Sequence, residues 1–313
     1  MAEYKGTREA FAAALAELRD SDPRYVFVSP DSLKAMRATG FSAKYPEAYM
    51  ETGISEQNAV DLAAGLSTTG LVPFVATYAG FLTMRACEQM RTFVAYPNLN
   101  VKFVGINAGL YGGEREGVTH QFYEDIGILA NIPNFTLFTP ADGNQTYHAV
   151  KRAAEIDGPV YIRAGSGREK DIYEKNDAFN PDGVTVLKQH GADVLLLSSG
   201  FVLGRVLEAA EHLESRGLKA TVADVNILYS KDPSRLLAVI NGFDKIVTVE
   251  DHNINGGLGG YVAKLVCENK PALVKRIGLS TFGESGPAEE LIDHYGFHPE
   301  QIADTVSGFV NRN

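Results

Sequence analysis

The amino-acid sequence predicts an α/β protein built as two doubly wound, mostly parallel-sheet domains. Three observations predict it. Short β-rich runs alternate with helical patterns from one end to the other, 313 residues are more than one core usually organises, and a polar, turn-rich stretch at 165–183 (GSGREKDIYEKNDAFNPDG) interrupts the alternation. Alternation of this kind needs crossover connections, which make strands parallel and cover a sheet with helices.

The elements follow in order. Apolar residues at three and four spacing predict helices over 7–19, 55–68, 81–94, 120–130 and 143–156. Strands are predicted between them at 25–29, 72–77, 101–106, 135–139 and 159–164, with a further strand end at 49–53. Ser55 precedes the apolar series Ala59, Leu62, Ala63 and Leu66, so it is the expected N-cap, with Glu56 in the first turn. Beyond the turn-rich stretch new strands begin at Val184, with strands at 194–198, 220–225, 246–250 and 274–277 and helices over 202–215, 233–240, 258–267, 287–294 and 299–310. The expected division is residues 1–170, a linker over 171–187, and a second domain over 188–313.

Composition excludes several classes. No apolar run approaches the roughly 20 residues that span a bilayer, and the N-terminal MAEYKGTREAFAAALAELRD mixes acidic residues through its length, so no membrane span or leader is expected and a cytoplasmic location is. A net charge of -10 disfavours a nucleic-acid surface. Only Cys87 and Cys267 occur, far apart and in predicted helices, which supports neither a disulfide framework nor a zinc site; two buried reduced thiols are expected.

A carboxylate at the head of a helix, Glu56 in GISEQN, followed by the aromatic-rich TYAGFLTMRACEQMR at 77–91, suits activation of an aminopyrimidine. Alone, a first-turn acid equally complements the helix macrodipole. The segment EDHNINGGLGG at 250–260 follows a strand and opens a helix, yet its spacing departs from G-x-G-x-x-G and its βα unit is late in its domain. Tight backbone packing at a helix start is the expected use of those glycines.

Together with Thr7-Arg8, the SPD at 29–31, YPNLNVK at 96–102, EGVTHQ at 116–121, IPNFTLFTPADGNQT at 132–146, GPVYIR at 158–163, VEDHNINGGLGG at 249–260 and FGESG at 282–286, these motifs resemble the C-terminal half of transketolase in their order and spacing. The resemblance spans nearly the whole chain. It implies a thiamine diphosphate-binding pyrimidine domain followed by the transketolase C-terminal domain, and transfer of a two-carbon ketol unit from a ketose to an aldose.

The resemblance also implies site residues. Glu56 would hydrogen-bond the pyrimidine ring nitrogen, Tyr78 and Phe81 would pack on that ring, and Asp31 would contact the cofactor from the first strand end. His120 matches a histidine that assists proton transfer to substrate hydroxyls, and Glu116 falls near an acid that recognises a sugar hydroxyl. Arg8 matches an arginine that grips the acceptor phosphate, a task a guanidinium performs bidentately.

Departures accompany these matches. Met84 stands where many members have a third aromatic, Ala108 takes the approximate place of a phosphate-contacting histidine, and the loop 112–117 is one residue longer than usual. Ser166 replaces a second phosphate arginine, a role that Arg168 is positioned in sequence to take. Transketolases hold the diphosphate and its divalent metal, Mg, through a GDG motif on another domain. The chain contains no GDG. The resemblance therefore implies a split enzyme, with no metal ligands here, an N-terminal partner subunit carrying the motif, and α2β2 as the simplest closed assembly. The competing readings are the beta subunit of a 2-oxoacid dehydrogenase, a 1-deoxyxylulose-phosphate synthase fragment, and a non-catalytic homologue. The altered phosphate positions leave room for an unusual ketose, such as apulose phosphate or a sulfonated sugar.

Overall fold

The structure, a computed structural model, describes residues 4, 6–110, 112, 116–167, 169–177 and 179–311. The first half runs α1 (Thr7–Ser21), β1 (Tyr25–Ser29), α2 (Thr39–Lys44), β2 (Tyr49–Glu51), α3 (Glu56–Thr68), β3 (Val72–Tyr78), α4 (Cys87–Gln89), β4 (Lys102–Ile106), α5 (Asp125–Leu129), β5 (Thr136–Phe138), α6 (Gly143–Glu155) and β6 (Val160–Arg163). The second half runs β7 (Val184–Gln189), β8 (Val194–Ser198), α7 (Leu203–Ser215), β9 (Ala220–Val225), β10 (Ile227–Leu228), α8 (Ser234–Ile240) and β11 (Lys245–Asn253). It ends with α9 (Leu258–Asn269), β12 (Leu273–Leu279), α10 (Ala288–His294) and α11 (Pro299–Val310).

Two sheets result, as the alternation predicts. The first has the order β10-β5-β6-β4-β3-β1-β2 and is parallel except for β10, which lies antiparallel to β5. The second has the order β12-β11-β8-β9-β7, with only β7 antiparallel. Central strands such as β4 and β8 are buried throughout, as a sheet covered on both faces requires. Phe11 of α1 meets Phe27 of β1 edge to face at 5.7 Å, part of the core on one side of the first sheet. On the other side Val60 and Ala63 of α3 share a core with Leu258 and Val262 of α9, so apolar burial is continuous between the halves.

The turn-rich stretch is pinned by one carboxylate. Asp142, the N-cap of α6, accepts from the N–H groups of Gln145 (2.8 Å), Ile172 (2.8 Å) and Tyr173 (2.7 Å). Just beyond β9 the chain crosses back to the first sheet as β10, where Thr139 N–H donates to Asn226 O at 2.9 Å. The strand β7 opens at Val184, inside the 171–187 stretch read as linker, and runs past residue 188.

Several expectations need correction. The helix read over 81–94 is interrupted: 81–85 and 90–95 are π-helical turns around the short α4. The Thr83 hydroxyl donates to Ala79 O at 2.9 Å, a back-bond of the kind that distorts a helical ladder. The helix read over 120–130 is confined to α5. Residues before it are spent elsewhere, since Gly109 N–H donates to Phe122 O at 2.6 Å and Asn253 N–H to Tyr123 O at 2.7 Å. Ser55 flanks α3 but does not cap it with its side chain; its hydroxyl donates to Thr52 O at 2.7 Å. The short α2 carries too little periodicity to have been anticipated. Cys87 is half-buried and Cys267 exposed, so the thiols are free but not both buried.

Candidate active site

The strand β2 ends at Glu51, and Gly53, with φ of +68°, reverses the chain into α3, which sets Glu56 at its first position. Glu56 is only 6 % exposed. Its Oε1 accepts from Arg85 Nη1 at 2.8 Å. Arg85 follows Phe81 by four residues and lies over that ring, its Cζ 3.8 Å from the centroid. The sequence reading missed Arg85, although a spacing of four along a helical segment is the signal that joins it to Phe81.

Tyr78 closes β3 and Phe81 opens the π turn, and their centroids are 5.2 Å apart. The close approach depends on Gly80, because a Cβ there would fall 1.9 Å from Phe122 Cδ1. Phe81 meets Phe122 edge to face at 5.4 Å. The His120 ring stands edge-on to both, 5.2 Å from Tyr78 and 5.3 Å from Phe81. His120 follows a 3₁₀ turn at Gly117–Thr119, and its Nδ1 is 2.9 Å from Thr119 Oγ1. Glu56, Tyr78, Phe81 and His120 are thus joined through Arg85 and ring contacts into one cluster.

The remaining sequence candidates surround it less tightly. Asp31 takes a left-handed conformation, φ 51°, and its N–H donates to Glu51 Oε1 at 2.6 Å. The same Glu51 oxygen accepts from Gly53 N–H at 2.9 Å, so Glu51, another residue missed from sequence, ties the Asp31 turn to the turn before Glu56. Arg8 donates to Asn107 Oδ1 and to Ala35 O at 3.3 Å, while Asn107 Nδ2 donates to Gly112 O at 2.7 Å. Glu116 immediately precedes the 3₁₀ turn, its carbonyl accepting from Thr119 Oγ1 at 3.4 Å. Arg168 lies outside the described residues. Ala108 is buried with Ala79 and Phe122.

Behind the cluster lies a buried polar network that the sequence did not reveal. Arg163 Nε donates to Asp125 at 3.1 Å, Tyr161 Oη donates to Asp125 Oδ2 at 2.7 Å, and Arg163 Nη2 donates to Asp251 O at 2.8 Å. Burial pushes the Asp251 carboxyl up to about 7 against the pull of Arg163, and lowers His252 to about 4. Glu250 is likewise raised by burial to about 7, although the N–H groups of Leu258 (2.6 Å) and Gly259 (2.7 Å) oppose this. The start of α9 is therefore occupied by the protein's own carboxylate. Its glycines serve packing, since a Cβ on Gly257 would lie 1.8 Å from Glu250 Oε2 and one on Gly256 2.6 Å from Gly127 Cα.

An aromatic face bounded by a buried carboxylate is chemically suited to an aminopyrimidine edge. Nothing comparable serves a metal: among the described residues no group of three metal-ligating side chains occurs. Nor, among them, is any helix long and apolar enough to cross a membrane.

Comparison with known proteins identifies both domains. Residues 3–167 match the transketolase pyrimidine-binding domain and residues 183–302 the transketolase C-terminal domain. The chain is 33% identical over 306 residues to the 6-deoxy-6-sulfo-D-fructose transketolase subunit SqwH of Clostridium sp. (strain MSTE9), covering 97% of this chain and 94% of that protein. It is 31% identical over 306 residues to an apulose-4-phosphate transketolase subunit from Phocaeicola vulgatus, covering 97% of each. A solved structure described as a split gene transketolase, inactive beta4 tetramer, superimposes with a TM-score of 0.88 at 36% identity, covering 97% of this chain and 98% of that one. With both domains matched in order, and relatives of this identity aligned over nearly their full length, the chain belongs to the transketolase family.

Proposed function

We propose that this chain is the C-terminal subunit of a split, thiamine diphosphate-dependent transketolase, moving a two-carbon ketol unit from a ketose to an aldose. The observation that carries the reading is the buried Glu56 carboxylate beside the Tyr78–Phe81 wall, with the His120 imidazole against the same rings. When bound, thiamine diphosphate supplies the carbanion chemistry, which side chains cannot. The residues here would bind and orient it. Glu56 would accept from or hold a proton against the pyrimidine ring nitrogen, and Tyr78 and Phe81 would stack on the ring while excluding water. Asp31 would contact the cofactor from the end of β1.

His120 would move protons to and from substrate hydroxyls, a role worth typically 10²–10⁴-fold in rate. Glu116 would accept from a sugar hydroxyl, and Arg8, held by Asn107, would face the acidic end of the substrate, with Arg168 as a second cation. Both named relatives act on ketoses that carry a sulfonate or phosphate, which favours an acid-bearing sugar here. An N-terminal subunit with a GDG motif would hold the diphosphate and Mg, and α2β2 is the expected assembly. The relatives' names do not favour the dehydrogenase alternative.

The test is coexpression with a GDG-bearing partner chain, followed by cofactor retention and ketol transfer from a panel of ketose phosphates and a 6-sulfo ketose. Transfer that requires both chains is expected. Oxidative-type decarboxylation of a 2-oxoacid without transfer would overturn the proposal.

A further inference from the structure

His120 stands in a loop, not on a strand or helix, so something other than secondary structure must fix its ring. The ring itself rests on Tyr78, Phe81 and Thr119 of the first domain, and the loop that carries it is held in addition by the second. On the approach side, Leu110 N–H donates to Asp251 Oδ1 at 3.2 Å, and a Cβ on Gly109 would lie 1.9 Å from Asp251 Oδ2. On the exit side, Asn253 N–H donates to Tyr123 O at 2.7 Å.

The bend 282–286 closes over the middle. Gly283 N–H donates to Tyr123 Oη at 3.0 Å, and Gln121 Nε2 donates to Glu284 O at 2.9 Å. A Cβ on Gly117 would meet Ser285 Oγ at 2.3 Å, and one on Gly283 would meet Gln121 Oε1 at 2.3 Å. A side chain at either position would therefore push Ser285 or Gln121 out of its present place. Gly117 also has φ of +70°, so the turn that delivers His120 is strained for any other residue.

We infer that the bend 282–286, backed by Asp251, is a positioning device by which the second domain sets the His120 loop. It reaches the residues flanking His120 on both sides. Holding a loop that carries a proton-transfer group removes conformational freedom that would otherwise be lost in every turnover, and small misplacements of such groups are costly. The kinetic part of this inference rests on the proposed function; the mechanical part does not.

Hydrogen exchange over residues 116–124 tests the mechanical part directly. In Tyr123→Phe, which removes only the oxygen that accepts from Gly283, amide exchange there should rise about fivefold, the size expected for one lost hydrogen bond. Gly283→Ala should raise it further, with α3 and β3 unchanged. In the complex with its partner chain, both variants should lower kcat for ketol transfer while thiamine diphosphate affinity stays at the wild-type value. Unchanged exchange over 116–124 in both variants would overturn the inference, as would a loosened loop with unaltered kcat, or a rise spread evenly over the first domain. A wild-type complex that transfers no ketol unit would defeat the functional reading instead, and the exchange data would still decide whether the bend holds the loop.

Discussion

Arg85 donates a hydrogen bond to Glu56 across 2.8 Å, and so supplies the counter-charge that a carboxylate 6 % exposed requires. The guanidinium is itself half exposed and rests on the Phe81 ring, so the pair spans the boundary between solvent and the aromatic wall.

Glu56→Gln keeps the side-chain shape and an acceptor for Arg85 but cannot carry the negative charge. The variant should fold and assemble, yet lose roughly 10²–10⁴-fold in ketol-transfer rate, the range for a group that handles a proton. Steady-state rates of the complex with its partner check this, and full activity would remove Glu56 from the chemistry.

His120→Ala deletes a ring that packs on Tyr78 and Phe81 at 5.2 and 5.3 Å without opening the carboxylate side of the cluster. Transfer should fall by about 10²-fold or more while cofactor retention is kept. Equal loss of cofactor and activity would show that the imidazole is only part of the wall.

The strands and most helices of this fold were legible because each depends on local pattern. The runs at 25–29, 194–198 and 220–225 are mostly apolar, almost wholly buried strands of a covered sheet, and α11 begins at Pro299 in the first helical turn, where proline is tolerated. The errors fall where long-range contacts override pattern. Residues 120–124 look helical but bond to Gly109 and Asn253, and 81–95 keeps helical periodicity while its ladder is distorted. The site divides the same way. Tyr78, Phe81 and His120 were legible from motif and spacing, whereas Glu51, Asp125 and Asp251 act through partners 20, 38 and 141 residues away.

Asp251 makes stability depend on pH. Its carboxyl titrates near 7 in the folded protein and near 3.8 when exposed, so between those values the folded state holds a proton that the unfolded state has released. Stability contributed by this group is fully present below about 4 and falls as pH rises to about 7, by at most about 1.4 kcal/mol per pH unit. His252, lowered to about 4, acts in the opposite direction between about 4 and 6.5. Asp251→Asn removes the first effect alone. Urea unfolding at pH 5, 6, 7 and 8 should show the variant gaining on the wild type as pH rises, and a constant difference would sink this assignment.

Lys102 offers the mirror case. It is fully buried in β4, and its Nζ donates to Ile156 O at 2.6 Å and Gly158 O at 2.7 Å, tying the end of α6 to the start of β6. Burial lowers its pKa from 10.5 to about 7. The neutral amine has two N–H groups for two carbonyls, so deprotonation leaves both bonds intact. Between about 7 and 10.5 the unfolded chain binds the extra proton, so this group's contribution to stability grows as pH rises through that window. Lys102→Met keeps the length and apolar stem but leaves two buried carbonyls without their donor, at a cost of about 1–3 kcal/mol for each. The gap between wild type and variant should widen from pH 7 to pH 9, because only the wild type has a proton to lose. A gap that stayed constant over that range would mean that Lys102 stays charged in the fold, its ammonium held by the two carbonyls strongly enough to outweigh burial.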